Sequence, residues 1–283
     1  MSEKVYEIIQ EKILQKIEEG VVPWQRTWEG GGGIPRNIIS NKPYKGFNHI
    51  MLICQGFTSP YWMTFNQIKQ LKGKLIEGEG KNYAIITYWK MLEKENEDGT
   101  VEKRFPMIRY YRVYNLEQTE GIKSKWEVEI PKYNHNDPIK NCEQVLAEMR
   151  DMPETKWGMS PCYIPSKDMI GMPKIKNFAS ASEYYAAYYH EMAHSTKAMQ
   201  RMNRDKHSYA KEELIAEMSA CFLCGMTGID TATIDNQAAY LKSWAKRIKG
   251  ENVKMIVQAA SEAQKVSDWI MNINEFTEMK KSA

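Results

Sequence analysis

No apolar run in the chain approaches the length that crosses a bilayer, which excludes a protein anchored by spanning helices. The opening residues, MSEKVYEIIQEKILQ, carry charges through their apolar positions and lack the apolar core and cleavage site of a signal peptide. Cysteine is sparse and odd in number. The five (54, 142, 162, 221 and 224) are scattered, a poor basis for a disulfide framework. Together these absences lead to the expectation of a cytoplasmic protein. An overall excess of one charge is missing too, because the formal net charge is only +3 over 283 residues. That balance hides an asymmetry. Between Val21 and Leu92, nine Lys and Arg stand against three Glu, a local +6 that leaves about −3 for the rest. With 42% hydrophobic and 27% charged residues the usage is globular, and the length suits one large or two ordinary domains.

The strongest local signal is His190-Glu191-Met192-Ala193-His194. Histidines at i and i+4 lie one above the other on a single helical face, so both imidazoles can reach one cation. Glu191 then stands beside the metal without ligating it, placed to take a proton from a water. This is the HExxH pattern of zinc-dependent peptidases. Ser180 followed by Glu183 has capping-box spacing, so a helix is expected to begin near Ala181, and no Pro or Gly interrupts the run to Asn203. A chance HExxH on a packed helix is the competing explanation.

A second helix argues against chance. Ser208 is a suitable N-cap for YAKEELIAEMSACFLCG, with Gly225 expected as its stop. Glu213, Glu217, Ala220 and Cys224 share one face of it. Two acids a turn apart among small residues are costly to bury unless something positive sits between the helices. A Zn2+ ion would do that. Glu213 follows His194 by nineteen residues, close to the separation of the glutamate ligand in the thermolysin-like group. In that arrangement Glu217 would orient a histidine from behind; it is also the alternative ligand. A solvated acidic face is the plainer reading. His207 and Tyr209, just before this helix, are candidates to stabilise an oxyanion, or simply capping-loop side chains. Cys221 and Cys224 form a CxxC inside the same helix and read as small buried side chains. His49 and His135 have no partner pattern.

The basic half opens with an amphipathic helix, Tyr6 to Glu19, striped by Ile9, Ile13 and Ile17. Ile50 to Cys54 suits strand or helix equally. A short helix is expected over 65–72, a strand over Tyr83 to Trp89, and another over Arg109 to Asn115, with a charged hairpin tip near Glu93 to Lys103. Aromatics interleave with bases here: Trp24, Arg26, Trp28, Arg36, Lys42, Tyr44, Lys45 and Trp62. Rings beside cations are what a sequence-tolerant binder of single-stranded DNA needs, since every base has a π-face and every link a phosphate. Taken singly, each ring is better explained as core.

The series VVPWQRTW, PRNIISNKPYKGFN, SPYWMTFNQIKQLKGKLIEGEG and YRVYNLEQTEG resembles the N-terminal single-stranded-DNA-binding domain of ArdC-type antirestriction proteins. The stretches CYIPSKDMIGMP, FASASEYYAAYYHEMAHST, RMNR and YAKEELIAEMSA resemble the zincin-like metallopeptidase domain of the same proteins and of phage polyvalent proteins. The resemblance implies carriage on a mobile element and protection of incoming DNA from host restriction. It also implies that Asp168 to Met172 is the sheet edge that pairs with a peptide substrate. The expected fold is α+β in two domains: residues 1–125, a small mixed DNA-binding domain, and 126–283, a zincin-like domain with the HExxH helix. Its helices are expected at Pro138 to Met149, Asn236 to Lys249 and Lys254 to Asn272.

Three functions fit these features. In the first, the chain holds single-stranded DNA while a zinc peptidase acts on a protein substrate that the sequence does not name. In the second, it masks DNA, its zinc site structural or inactive. In the third, a peptidase uses its basic domain only to recruit a protein. An open coordination position with Glu191 aimed at it favours the first.

Overall fold

Isoleucine at every fourth position sets the first element. Val5, Ile9, Ile13 and Ile17 form one buried stripe on helix α1 (Ser2–Glu18), and Gly20, at φ +83°, lets the chain leave it. The computed structural model describes residues 2–20, 33–95, 101–122, 138–204, 207–229 and 253–273. Trp24, Arg26, Trp28 and the expected helix over 236–249 lie outside the described residues.

The mixed α+β chain continues as β1 (Arg36–Asn37), α2 (Phe47–Ile53), β2 (Tyr61–Met63), α3 (Phe65–Gln70) and β3 (Lys74–Leu75). Then come β4 (Ala84–Glu95), β5 (Val101–Asn115) and β6 (Thr119–Glu120). The ambiguous stretch around Ile50 is thus helical. Thr64 starts α3 with a full capping box, its hydroxyl accepting from Gln67 N while the Gln67 amide oxygen accepts from Thr64 N. The main sheet has the order β1-β2-β5-β4, with β1 parallel to β2 and the other pairs antiparallel. β4 and β5 form a hairpin that runs further toward its tip than the sequence suggests, while its base lies where expected.

The second part holds α4 (Lys140–Glu148), β7 (Glu154–Trp157), β8 (Cys162–Ile164), β9 (Met169–Met172), α5 (Ala181–Ser195), α6 (Tyr209–Thr227) and α7 (Lys254–Ile270). α6 runs past the expected stop. Gly225 lies inside it against the His49 ring, and the left-handed cap is Gly228, at φ +77°. Conversely α5 stops at Ser195 without any Gly or Pro, its last carbonyls taken by tight turns through Thr196 and Lys197.

The two parts share their core. The largest apolar cluster joins α1, α2 and the β4–β5 hairpin to α4 through α7, and it includes Tyr184, Tyr185, Tyr188 and Tyr189 of α5. At the seam Gly46 N donates to Gln264 Oε1 at 2.9 Å, and His49 packs on Phe222. Gly46 has φ +55°, and its α-carbon faces the Ala260 carbonyl, so a side chain there would be strained.

One expected DNA contact is corrected. Trp62 is only 1% exposed, packed with Leu52, Ala84 and Val113 and met edge-on by Phe57 at 5.6 Å. It lies on β2, an interior strand whose neighbours cover its ring, so it cannot serve as a stacking surface.

Candidate metal centre

The geometry begins with the α5 cap. Ser180 Oγ accepts from Glu183 N at 3.2 Å, and the Glu183 carboxylate reaches back to Ala179 N at 3.2 Å. Helical from Ala181, the chain places His190 and His194 on one face with their Nε2 atoms 3.0 Å apart. α6 packs against α5 and brings Glu213 over the pair. Its carboxylate oxygens lie 3.6 Å from His190 Nε2 and 3.5 Å from His194 Nε2. Among the described residues these three form the one cluster whose donor atoms could surround an ion, and Glu217 is not in it.

The donor set fits a divalent cation. Two ligands each about 2.0–2.1 Å from a tetrahedral ion stand about 3.3 Å apart, close to the three separations seen here. Electrostatics agree. Burial pushes the His190 imidazole down, but the hydrogen bond to Glu213 and the charges of Glu191, Glu217 and Glu213 outweigh it and raise its pKa. Acids thus surround the imidazoles on more than one side, an environment that attracts positive charge. Glu191 is buried, within electrostatic reach of His190 and apart from the trio. The two histidines and Glu213 are partly open to solvent, which leaves an approach to the site.

Sequence reasoning missed the group behind His194. Glu212 bonds His194 Nδ1, at 3.2 Å. Glu212 is itself held by Arg204, whose Nη2 and Nη1 lie 2.9 and 3.2 Å from its two oxygens. Arg204 also donates to Thr196 Oγ1 and the Ala193 carbonyl, so this buried ion pair is fully hydrogen-bonded. Burial pushes the Glu212 carboxyl up, but the bonds from His194 and Arg204 prevail and hold it at about 2. The carboxylate therefore fixes the imidazole tautomer that leaves Nε2 free for a ligand role. The sequence signal was available in RMNR, whose last arginine needs an acid once buried. Glu212→Gln should weaken metal binding roughly 10- to 100-fold, measured by chelator competition on protein shown to be folded by circular dichroism. Unchanged affinity would reduce the pair to a core contact.

The other arginine of that segment ties down the sheet. Arg201 pairs bidentately with Asp168 at 2.8 and 2.9 Å and donates to the Asp151 carbonyl at 2.7 Å, while Tyr163 Oη donates to Asp168 Oδ1. A correction belongs here. The order β7-β9-β8 places Met169–Met172 in the middle of its sheet, so Asp168 to Met172 is not a free edge. The edges are β7 and β8, and β8 packs against α5.

Of the oxyanion candidates, Tyr209 reaches the centre. It is 79% exposed, and the charge of Glu213, with which it also hydrogen-bonds, raises its pKa. No described contact ties His207 to the trio; its Nε2 is buried without a hydrogen-bond partner among the described residues. In the first part of the chain Arg36 is half-buried, its Nε donating to the Ile34 carbonyl at 3.3 Å and its Nη1 to Asn41 Oδ1 at 3.5 Å, and Tyr44 is half-buried too. Lys42 and Lys45 are exposed, Lys45 with Asp268 at 3.9 Å. Cys221 and Cys224 are buried and form no disulfide.

Two family models match in succession. The N-terminal domain of anti-restriction factor ArdC covers residues 3–114, and a zincin-like metallopeptidase covers 140–262. Two curated relatives, both DNA primase TraC from Escherichia coli, are 28% and 30% identical over 94% of this chain. The chain spans only 20% and 27% of their lengths. Among solved structures, metal-free antirestriction ArdC protein from R388 plasmid superposes with a TM-score of 0.74 at 30% identity, covering 95% of this chain and 97% of that one. Its Mn(II)-bound form gives 0.71 at 29% identity with the same coverage.

Proposed function

Because the chain belongs to the family of ArdC-type antirestriction proteins, we propose that it acts in the cytoplasm, binding single-stranded DNA and cleaving a protein met there. The observation that carries the reading is the convergence of His190, His194 and Glu213 beside the buried Glu191. In this reading residues 1–125 hold the DNA and 126–283 carry the peptidase. Two imidazoles and one carboxylate suit zinc better than the harder divalent ions. Such a cation, when bound, supplies Lewis-acid polarisation of a carbonyl.

The residues of the chain do the rest. Glu191 takes a proton from the attacking water and returns it to the leaving amine. Glu212 keeps His194 in one tautomer, with Arg204 holding Glu212 in turn. The Tyr209 hydroxyl, carried on the first residue of α6, is placed to donate to an oxyanion. The β8 edge, lying against α5, offers backbone groups to an extended peptide. No helix among the described residues is long and apolar enough to cross a membrane.

The DNA-binding part of the reading is tested by titrating the full chain with single-stranded and duplex oligonucleotides over a salt series. Single strands should bind more tightly, with affinity falling steeply as salt rises and counterions are displaced. Preference for duplex, or a flat salt response, contradicts it.

A further inference from the structure

We infer that the outer face of the β4–β5 hairpin is the platform on which the single strand lies, bases stacked on Tyr88 and Tyr111 and a phosphate held by Arg109. This rests on the DNA-binding reading above and names its surface.

Register defines the face. Tyr88 lies opposite Arg109, and Ile86 opposite Tyr111, so these four residues share one side of the hairpin. Nearer its base, that side is covered by the small core of Leu52, Trp62, Ala84 and Val113, on which Tyr44 and Ile86 also pack. Beyond Ile86 the cover stops. Tyr88 is 56% and Tyr111 44% exposed, and Arg109 is exposed between them. Diagonal cross-strand neighbours stand about 7–8 Å apart, within reach of long side chains and wide enough to seat separate bases. The other side is more covered: Ile85, Thr87 and Ile108 are buried, Arg112 lies over the Tyr83 ring at 4.4 Å, and Tyr110 is 37% exposed.

Charge selects the occupant. By register the outer face carries Arg109 and Lys90 from Ala84 to Lys90 and from Met107 to Val113, with no acid at the positions that share it, a sum of +2. Aromatic faces beside uncompensated bases fit a polyanion with flat rings better than an apolar partner. Tyr44, with exposed Lys42 two residues before it, extends the face from its base. A second copy adding a strand along the outer edge of β4 is the rival occupant. That edge is already blunted: Asn48 Oδ1 accepts from Thr87 N at 2.7 Å, and its Nδ2 donates to Thr87 O at 2.8 Å, as a neighbouring strand would.

The test uses the full chain and a fluorescein-labelled oligo-dT, read by anisotropy at several salt concentrations. Tyr88→Ala and Tyr111→Ala should each weaken binding roughly five- to one-hundredfold, while Tyr88→Phe keeps it. Arg109→Ala should lower the slope of log affinity against log salt by about 0.7, one phosphate contact on a single strand. If the parent binds and both tyrosine-to-alanine variants bind as tightly, the platform is elsewhere and the inference falls alone. Failure of the parent to bind takes down the DNA reading and this surface together. Should sedimentation show that Tyr88→Ala dissociates a dimer while DNA affinity is unchanged, the face belongs to a contact between copies and the inference is wrong.

Discussion

Glu191→Gln is expected to leave the metal, the fold and DNA binding intact while reducing peptidase turnover by roughly 10²- to 10⁴-fold, the usual worth of general acid–base assistance. The amide matches the carboxylate in shape but cannot accept the proton of the attacking water. Glu191 stands apart from the three converging donors, so its replacement should not release the ion. DNA binding, assigned to the first part of the chain, provides an internal control. The same variant separates peptidase from masking. Survival of transferred DNA in a restricting recipient should be lost if proteolysis is the mechanism. Full protection by Glu191→Gln would mean that the protein works by covering DNA and that the metal centre has a structural task.

The second large effect concerns the metal itself. Purified parent protein should carry one divalent ion per chain, zinc on the donor chemistry, and the His190→Ala, His194→Ala double variant should carry none. Elemental analysis by mass spectrometry reads both outcomes. Removing two of three converging donors leaves a single carboxylate, which cannot hold a transition metal against buffer. Retention of the ion by the double variant would place the centre elsewhere, and manganese in the parent would correct its identity. Single variants address the acids. Glu213→Ala should lose the ion and Glu217→Ala keep it; the reverse result would exchange their roles.

The first part of the chain was legible wherever a pattern is local. The isoleucines of α1 repeat at helical spacing, so their burial follows from periodicity. The Ser180 and Ser208 caps follow from the preference of hydroxyls for orphan amides. Trp62 was not legible, because an aromatic among bases looks the same whether its ring faces water or Leu52 and Val113. Nor were Tyr88 and Tyr111 distinguishable from core tyrosines such as Tyr185. Strand pairing over a long hairpin decided which rings clear the body of the protein.

The same division runs through the metal centre. Spacing alone determined that His190 and His194 share a helical face, since four residues make about one turn whatever surrounds them. The sequence also determined that a second acidic helix follows. Spacing put Glu213 ahead of Glu217 as the ligand but gave Glu212 no part, because helix propensity does not say which way each acid of a helix faces. The packing of α6 on α5 made that choice, turning Glu213 toward both imidazoles and Glu212 toward His194 Nδ1 and the buried Arg204. Likewise CYIPSKDMIGMP spells strands, but not their order; only pairing on both sides shows that Met169–Met172 is interior. The physical reason is common to all these cases. Helical periodicity and capping are settled within a few residues, whereas the direction a side chain faces across an interface depends on partners far away in the chain.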